Sequence, residues 1–177
     1  MANIDDFKAN LIGGGARANQ FRVTITEPPG IAIGMNLLKT SLLCKSSSLP
    51  AQTIGEIPVP FRGRSIYIAG DREFADTWST VFINDTGFAI RTSIEKWLNG
   101  INDLALNTGV PNPADYQSDL YVEQLDRDDT PLKSYIFRSA WPTSTAAIEL
   151  SHETTNAIEE FEVTWRYQSF EASGVNF

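Results

Sequence analysis

The segment spanning residues 158–167 constrains this chain more than any other. Phe161, Val163, Trp165 and Tyr167 alternate with Glu160, Glu162, Thr164 and Arg166, and a strict period of two puts one set on each face of a pleated strand. Three aromatic rings on a single face need other elements to cover them, because an isolated strand or hairpin is marginal in water. The chain supplies those elements. Residues 20–26 place Phe21, Val23 and Ile25 opposite Arg22 and Thr24, which predicts a half-buried strand ended by Glu27-Pro-Pro-Gly30. Further strands are predicted at 42–49 (stopped by Pro50), 65–69, 77–83, 119–125, 132–141 (stopped by Pro142) and 146–150. Residues 28–39 read as an apolar-rich loop. Residues 51–63 hold Pro58 and Pro60, which lack ladder donors and suit an edge or an extended loop. Asp71-Arg72 reads as a turn.

One helix stands out over about residues 85–99. Ile90, Ile94, Trp97, Leu98 and Ile101 make a single apolar stripe, Asn84 or Asp85 can cap its start, and Gly100 suits a left-handed residue at its end. Residues 102–117 form an Asn/Gly/Pro-rich excursion. About eight strands with one packed helix predict a mainly β fold, a β-sandwich or barrel. The domain spans residues 20–170, with a flexible N-terminal arm at 1–19 that contains Gly13-Gly-Gly15 and a C-terminal tail at 171–177. No linker or internal repeat divides it, which fits a chain of 177 residues.

Charge and composition exclude several function classes. The chain carries 14 basic and 22 acidic residues, a net charge of −8, and lacks the clustered cations that phosphate-backbone binding needs. The imbalance sits in residues 119–177, where eleven carboxylates meet only Arg127, Lys133, Arg138 and Arg166. Such asymmetry can present an acidic face. No apolar run approaches the roughly 20 residues of a membrane-spanning helix, so no membrane anchor is expected, and the first residues have neither the basic nor the apolar region of a secretory leader.

Catalytic chemistry is hard to build from this sequence. A single cysteine, Cys44, excludes an internal disulfide and a multi-thiolate metal site; beside Leu42 and Leu43 it reads as an inert strand thiol. His152 is the one histidine, and no Gly-x-Ser-x-Gly elbow accompanies it. Asp126, Asp128 and Asp129 lack the central Gly and closing Glu of an EF-hand and read as a solvated turn. Gly13-Gly-Gly-Ala-Arg17 is not followed by Gly-Lys-[Ser/Thr], so it is no phosphate loop. Neither enzyme activity, nor a metal, nor a cofactor is expected.

Taken in order, a set of blocks resembles the tail tube proteins of contractile-tailed, T-even-like bacteriophages. They are Phe21-Arg-Val23, Ser48-Leu-Pro50, Val59-Pro-Phe-Arg-Gly-Arg64, Ile68-Ala-Gly-Asp-Arg-Glu-Phe74, Trp78, Asn84-Asp85, Ile94-Glu-Lys-Trp97, Trp141-Pro-Thr143, Ile158 and Phe161-Glu-Val163. They span about residues 19–170. Residues 28–39 and 102–113 look longer than in compact members. Tube initiator and capping proteins, and the exported tube protein of type VI secretion, share that fold; the Ala69-Gly-Asp-Arg72 block favours the major tube subunit.

The resemblance implies a structural subunit that forms stacked, hexameric rings in which one sheet per subunit joins a continuous inner barrel. Its implied partners are further copies of itself, a tail sheath protein, baseplate and tail terminator proteins, and genome DNA sliding through the lumen without specific binding. Its implied location is the virion tail tube, assembled in the host cytoplasm. Two surfaces follow as expectations. The stretch Ile57, Pro58, Val59, Pro60, Phe61, Arg62 and Arg64 is too apolar to remain in water and is expected to stack rings. Asp119 and Glu123 share one face of a strand, with Asp126 at its end, and are expected to line a non-basic bore.

Overall fold

The computed structural model describes residues 3–74 and 77–176; Met1 and Ala2 of the expected arm and Phe177 of the expected tail lie outside them. The elements run α1 (Ile4–Asn10), β1 (Phe21–Ile25), α2 (Leu37–Leu43), β2 (Cys44–Ser47), β3 (Gln52–Phe61), β4 (Arg64–Phe74), β5 (Trp78–Ile83), α3 (Ala89–Ile101), α4 (Pro113–Tyr116), β6 (Ser118–Leu125), β7 (Pro131–Thr145), β8 (Glu160–Arg166) and β9 (Ser169–Ala172). All strand pairings are antiparallel.

Strand β7 organises the fold because two half-sheets share it. Its first half lies between β6 and β9, with β1 beyond β6; its second half pairs β8, followed by β5 and β2. The change of direction falls at Ser139, whose φ of 51° is left-handed, beside a register shift between Ser118 and Leu120. Such a bulge bends a strand and adds twist, and here it lets one strand serve both layers. The sheets are not closed into a barrel within the subunit.

Between the layers lies one aromatic core. Val23, Ile25, Leu120, Val122 and Phe137 come from the first layer, and Trp78, Phe82, Phe161, Val163 and Trp165 from the second. Trp78 stacks on Phe137 across the gap, with ring centroids 4.4 Å apart. Helix α3 covers the core with Ile90, Ile94 and Trp97, all buried, and Trp97 meets Trp165 edge-on at 5.6 Å. Each of three tryptophan N–H groups has a partner: Trp78 donates to the Ser48 carbonyl, Trp97 to the Tyr116 carbonyl and Trp165 to the Thr80 hydroxyl. Buried indoles therefore carry no unmet donor, the condition for placing Trp in a core at no polar cost.

Several local expectations are corrected. Residues 37–43 are helical, and only Cys44–Ser47 of the second predicted strand is extended; Asn36 caps this helix by accepting from the Lys39 N–H. Residues 52–61 are a strand with a register shift between Ile54 and Glu56, and Asp71-Arg72 lies within β4 without turning. Residues 146–150 are not a strand, and β9 was not expected. Pro142 does not stop β7, because it lies at the edge where the strand pairs Trp165. Helix α3 begins at Ala89, with Phe88 in left-handed geometry at the N-cap in place of the expected Asn84 or Asp85; Asp85 still satisfies one free donor there by accepting the Ala89 N–H at 3.0 Å. Gly100 lies inside the helix, which ends at Asn102 in extended geometry; a Cβ there would lie 2.7 Å from Ile31 Cγ2, so close packing accounts for this glycine.

Candidate assembly surfaces

Among the described residues the β3–β4 ribbon pairs with no other strand, and nearly every residue along it is exposed. Arg62 and Gly63 at its tip have φ of 46° and 79°, the double left-handed geometry of the two-residue turn that matches strand twist. Such a turn makes Phe61 and Arg64 a hydrogen-bonded pair, so Pro58 and Pro60, at odd steps from it, sit at non-hydrogen-bonded positions opposite Tyr67 and Ser65. Their missing N–H groups face the outer edge. That is why the prolines do not break the ladder, and it also denies that edge to an added strand.

The same register sorts the ribbon into two faces. Ile57 with Ile68, Val59 with Ile66, and Phe61 share one face, and all five are exposed. The sequence expectation placed Ile57, Pro58, Val59, Pro60, Phe61, Arg62 and Arg64 in one surface; the structure puts the apolar members on one face and the prolines on the other. The expected stretch leaves out the β4 half, Ile66 and Ile68, because it stops at Arg64 and treats 65–69 as a separate strand. Near the base, Gly70 approaches the backbone so closely that a Cβ would lie 3.1 Å from the Gly55 carbonyl. Its φ is not left-handed, so Gly70 serves the ladder and makes no turn. Phe74 anchors the ribbon to the body by meeting Phe170 edge-on at 5.9 Å.

The second surface is the outward face of the β1–β6–β7–β9 layer. Asp119 and Glu123 do share it, opposite buried Leu120 and Val122. Neither carboxylate is free. Asp119 accepts from Arg138 at 2.6 Å and from the Ser139 N–H at 3.1 Å; Glu123 lies 3.5 Å from Arg22 and accepts from the Ser134 hydroxyl. Arg138 also grips Glu171 of β9 through two bonds of 3.0 and 2.7 Å. The Arg138 guanidinium beside Glu171 holds that carboxyl below its usual range. The face is thus nearly balanced, with two cations paired among three carboxylates. Asp126 stands apart in the turn after β6, where its side chain accepts from the Arg127 N–H.

The groups considered for chemistry remain dispersed. Cys44 is buried, and desolvation pushes its thiol up to about 12. His152 is exposed in a turn. Among the described residues no cluster of His, Cys, Asp or Glu could hold a metal ion.

A family model for the phage tail tube protein matches residues 16–173. This chain belongs to that family. It is 31% identical to the tail tube protein of Serratia phage KSP90 over 94% of this chain and 95% of the relative. It is 33% identical to the tail tube protein gp19 of Enterobacteria phage T4, over 91% and 94%. Its fold is similar to a chain in the sheath-tube complex of an extracellular contractile injection system, PVC, in the extended state, with TM-score 0.66, 15% identity and 94% and 97% coverage. A chain of the tube-terminating cap of the anti-feeding prophage has TM-score 0.61 with 16% identity, covering 90% and 91%. At such identities these two structures speak to fold alone. In this family, exposed surfaces of the subunit are places to look for joints.

Proposed function

We propose that this chain is the structural subunit of a contractile phage tail tube, that its copies form hexameric rings, and that the rings stack into a rigid conduit through which DNA leaves the capsid. The supporting observation is the unpartnered ribbon. A two-stranded hairpin is marginal by itself, yet this one extends over twenty residues of strand with an exposed apolar face. It gains its stability from another copy of the chain. The prolines deny the β3 edge, which leaves the apolar face and the β4 edge for docking.

The β1 and β9 strands end the first layer on its two sides, and joining β1 of one copy to β9 of the next is a head-to-tail contact that closes into a ring when the rotation permits. The second layer is less suited to this: β2 is four residues long with a register shift, and the free part of β7 contains Pro142. The outward face of the first layer then lines the bore, with Asp119 and Glu123 on it and Asp126 at its rim. The other wall faces the sheath, and the tube ends meet baseplate and terminator proteins. Assembly takes place in the host cytoplasm and the product resides in the virion tail. The subunit performs no catalysis. Helix α1 exposes Ile4 and Phe7 and docks against a neighbouring copy. Relatives of matching length that are tail tube proteins favour this reading over an exported type VI-like tube or a capping paralogue.

Sedimentation of the purified chain over rising concentration tests the reading. Large assemblies growing with concentration are expected; a monomer at all concentrations would overturn it. The bore is tested by Asp119→Lys with Glu123→Lys in an assembling phage. DNA retained in contracted tails is expected, and unchanged ejection with altered sheath binding would place the pair on the outer wall.

A further inference from the structure

On the face assigned to the bore, Arg138 is accessible to solvent, with 38% of its side chain exposed. A guanidinium presented this way is a good phosphate ligand, because its planar fork binds two oxygens at once. Copies set around one ring would act together on a polyanion and hold it. Yet the residue has a structural task. It joins three strands: Asp119 comes from β6, Arg138 from β7 and Glu171 from β9. The same Asp119 carboxylate fixes the Ser139 N–H at the bulge.

We infer that Asp119 and Glu171 mask Arg138, so that the arginine staples the sheet without becoming a phosphate-binding ring in the bore. Glu171 occupies the guanidinium in the two-bond geometry a phosphate would use, and Asp119 takes a further N–H. A passing phosphate must displace two carboxylates already held in place by the fold. Arg22, the other cation on this face, has a single 3.5 Å contact with Glu123 and supplies an internal comparison. The inference rests on the assignment of this face to the bore.

The test uses tubes assembled from the full chain in the presence of a short fluorescent DNA oligonucleotide, then pelleted. The pair Asp119→Asn with Glu171→Gln keeps the shapes and removes the masking charges. Tubes of this variant should retain on the order of tenfold more DNA at low salt than wild type, with retention lost as salt rises. Adding Arg138→Gln should return retention to the wild-type level. Equal retention by wild-type and double-variant tubes would overturn the inference, as would retention that persists in the triple variant. If the double variant does not form tubes, oligonucleotide binding to unassembled Glu171→Gln subunits gives the same comparison. Binding no stronger than wild type would then count against masking.

A separate probe isolates the underlying assignment. Tyr121 shares this outward face, on the row that runs from Thr24 through Ile136 to Glu171. Cys44 is buried, and burial pushes its thiol up to about 12, so it should stay silent to thiol reagents. Tyr121→Cys should therefore report alone when challenged with a thiol reagent too bulky to enter the bore. Labelling of free subunits but not of tubes is expected. Labelling of tubes would overturn the bore assignment itself, whereas a shielded cysteine with no rise in DNA retention would overturn only the masking.

Discussion

The Trp97 indole N–H donates to the backbone carbonyl of Tyr116 at 2.7 Å. This bond ties the centre of the core helix to the short turn of α4 that launches β6, while the indole ring lies edge-on to Trp165. One side chain thus fills the core and fixes the start of the strand that carries Asp119. Trp97→Ala should destabilise the subunit by roughly 3–5 kcal/mol, as for other large-to-small aromatic changes in a core. Trp97→Phe should cost less, since it keeps a ring and loses the hydrogen bond. Chemical denaturation of soluble subunits checks both, and a midpoint that barely moves for Trp97→Ala would contradict the packing.

Gly100→Ala sets two effects against each other. Helix propensity favours Ala over Gly by about 1 kcal/mol. A Cβ at this position would, however, lie 2.7 and 2.8 Å from two carbons of Ile31, and overpacking typically costs about 1–3 kcal/mol. The steric effect should win or draw, giving a subunit no more stable than wild type. A clear rise in thermal midpoint would show that the loop carrying Ile31 yields freely.

Much of the fold was legible in the sequence. The alternation in β8 and the stripe on α3 gave both the strand face and the helix face that form the core, because a period of two or of 3.6 survives wherever one face is buried and the other wet. The ribbon was illegible as a strand pair for the opposite reason. Neither of its faces is buried in the subunit, so no burial pattern marks it, and Pro58 and Pro60 point away from strand until the turn at Arg62-Gly63 sets their parity. Helix α2 falls across the predicted loop at 28–39 and the start of the predicted strand at 42–49, because its leucines are not confined to the core side; Leu38 and Leu42 are exposed. Of the candidate sites, Asp119 and Glu123 were correctly placed on one face. The sequence does not show their cation partners, since Arg22 and Arg138, and the Glu171 carboxylate that shares Arg138, reach that face only through pairings distant in sequence.

Asp85 provides a pH signature. Its carboxyl lies below the usual range because it accepts from Lys39 at 2.6 Å, from the Ala89 N–H at the start of α3 and from the Gly87 N–H before it. A carboxyl depressed on folding adds stability that is present above its unfolded value, about 3.9, and is lost as pH falls through the lower folded value. Asp85→Asn should therefore be less stable than wild type at neutral pH, with the difference closing in strong acid. A difference that stays constant from neutral pH down through that window would show that the charge contributes nothing.

Phe61→Asp places a carboxylate on the apolar face of the ribbon, between Val59 and the turn. Because Phe61 is exposed in the subunit, folding stability should change by no more than about 0.5 kcal/mol. Tube growth should fall sharply. Circular dichroism and pelleting of the same sample separate the two effects, and tubes of normal length from this variant would remove the ribbon face from the stacking joint.

In the proposed assembly the subunit completes its exposed ribbon and sheet edges with copies of itself. Negative-stain electron microscopy of the concentrated, purified chain measures this most directly. Long hollow tubes with sixfold end views are the predicted result. A field of isolated monomers at the same concentration would contradict it.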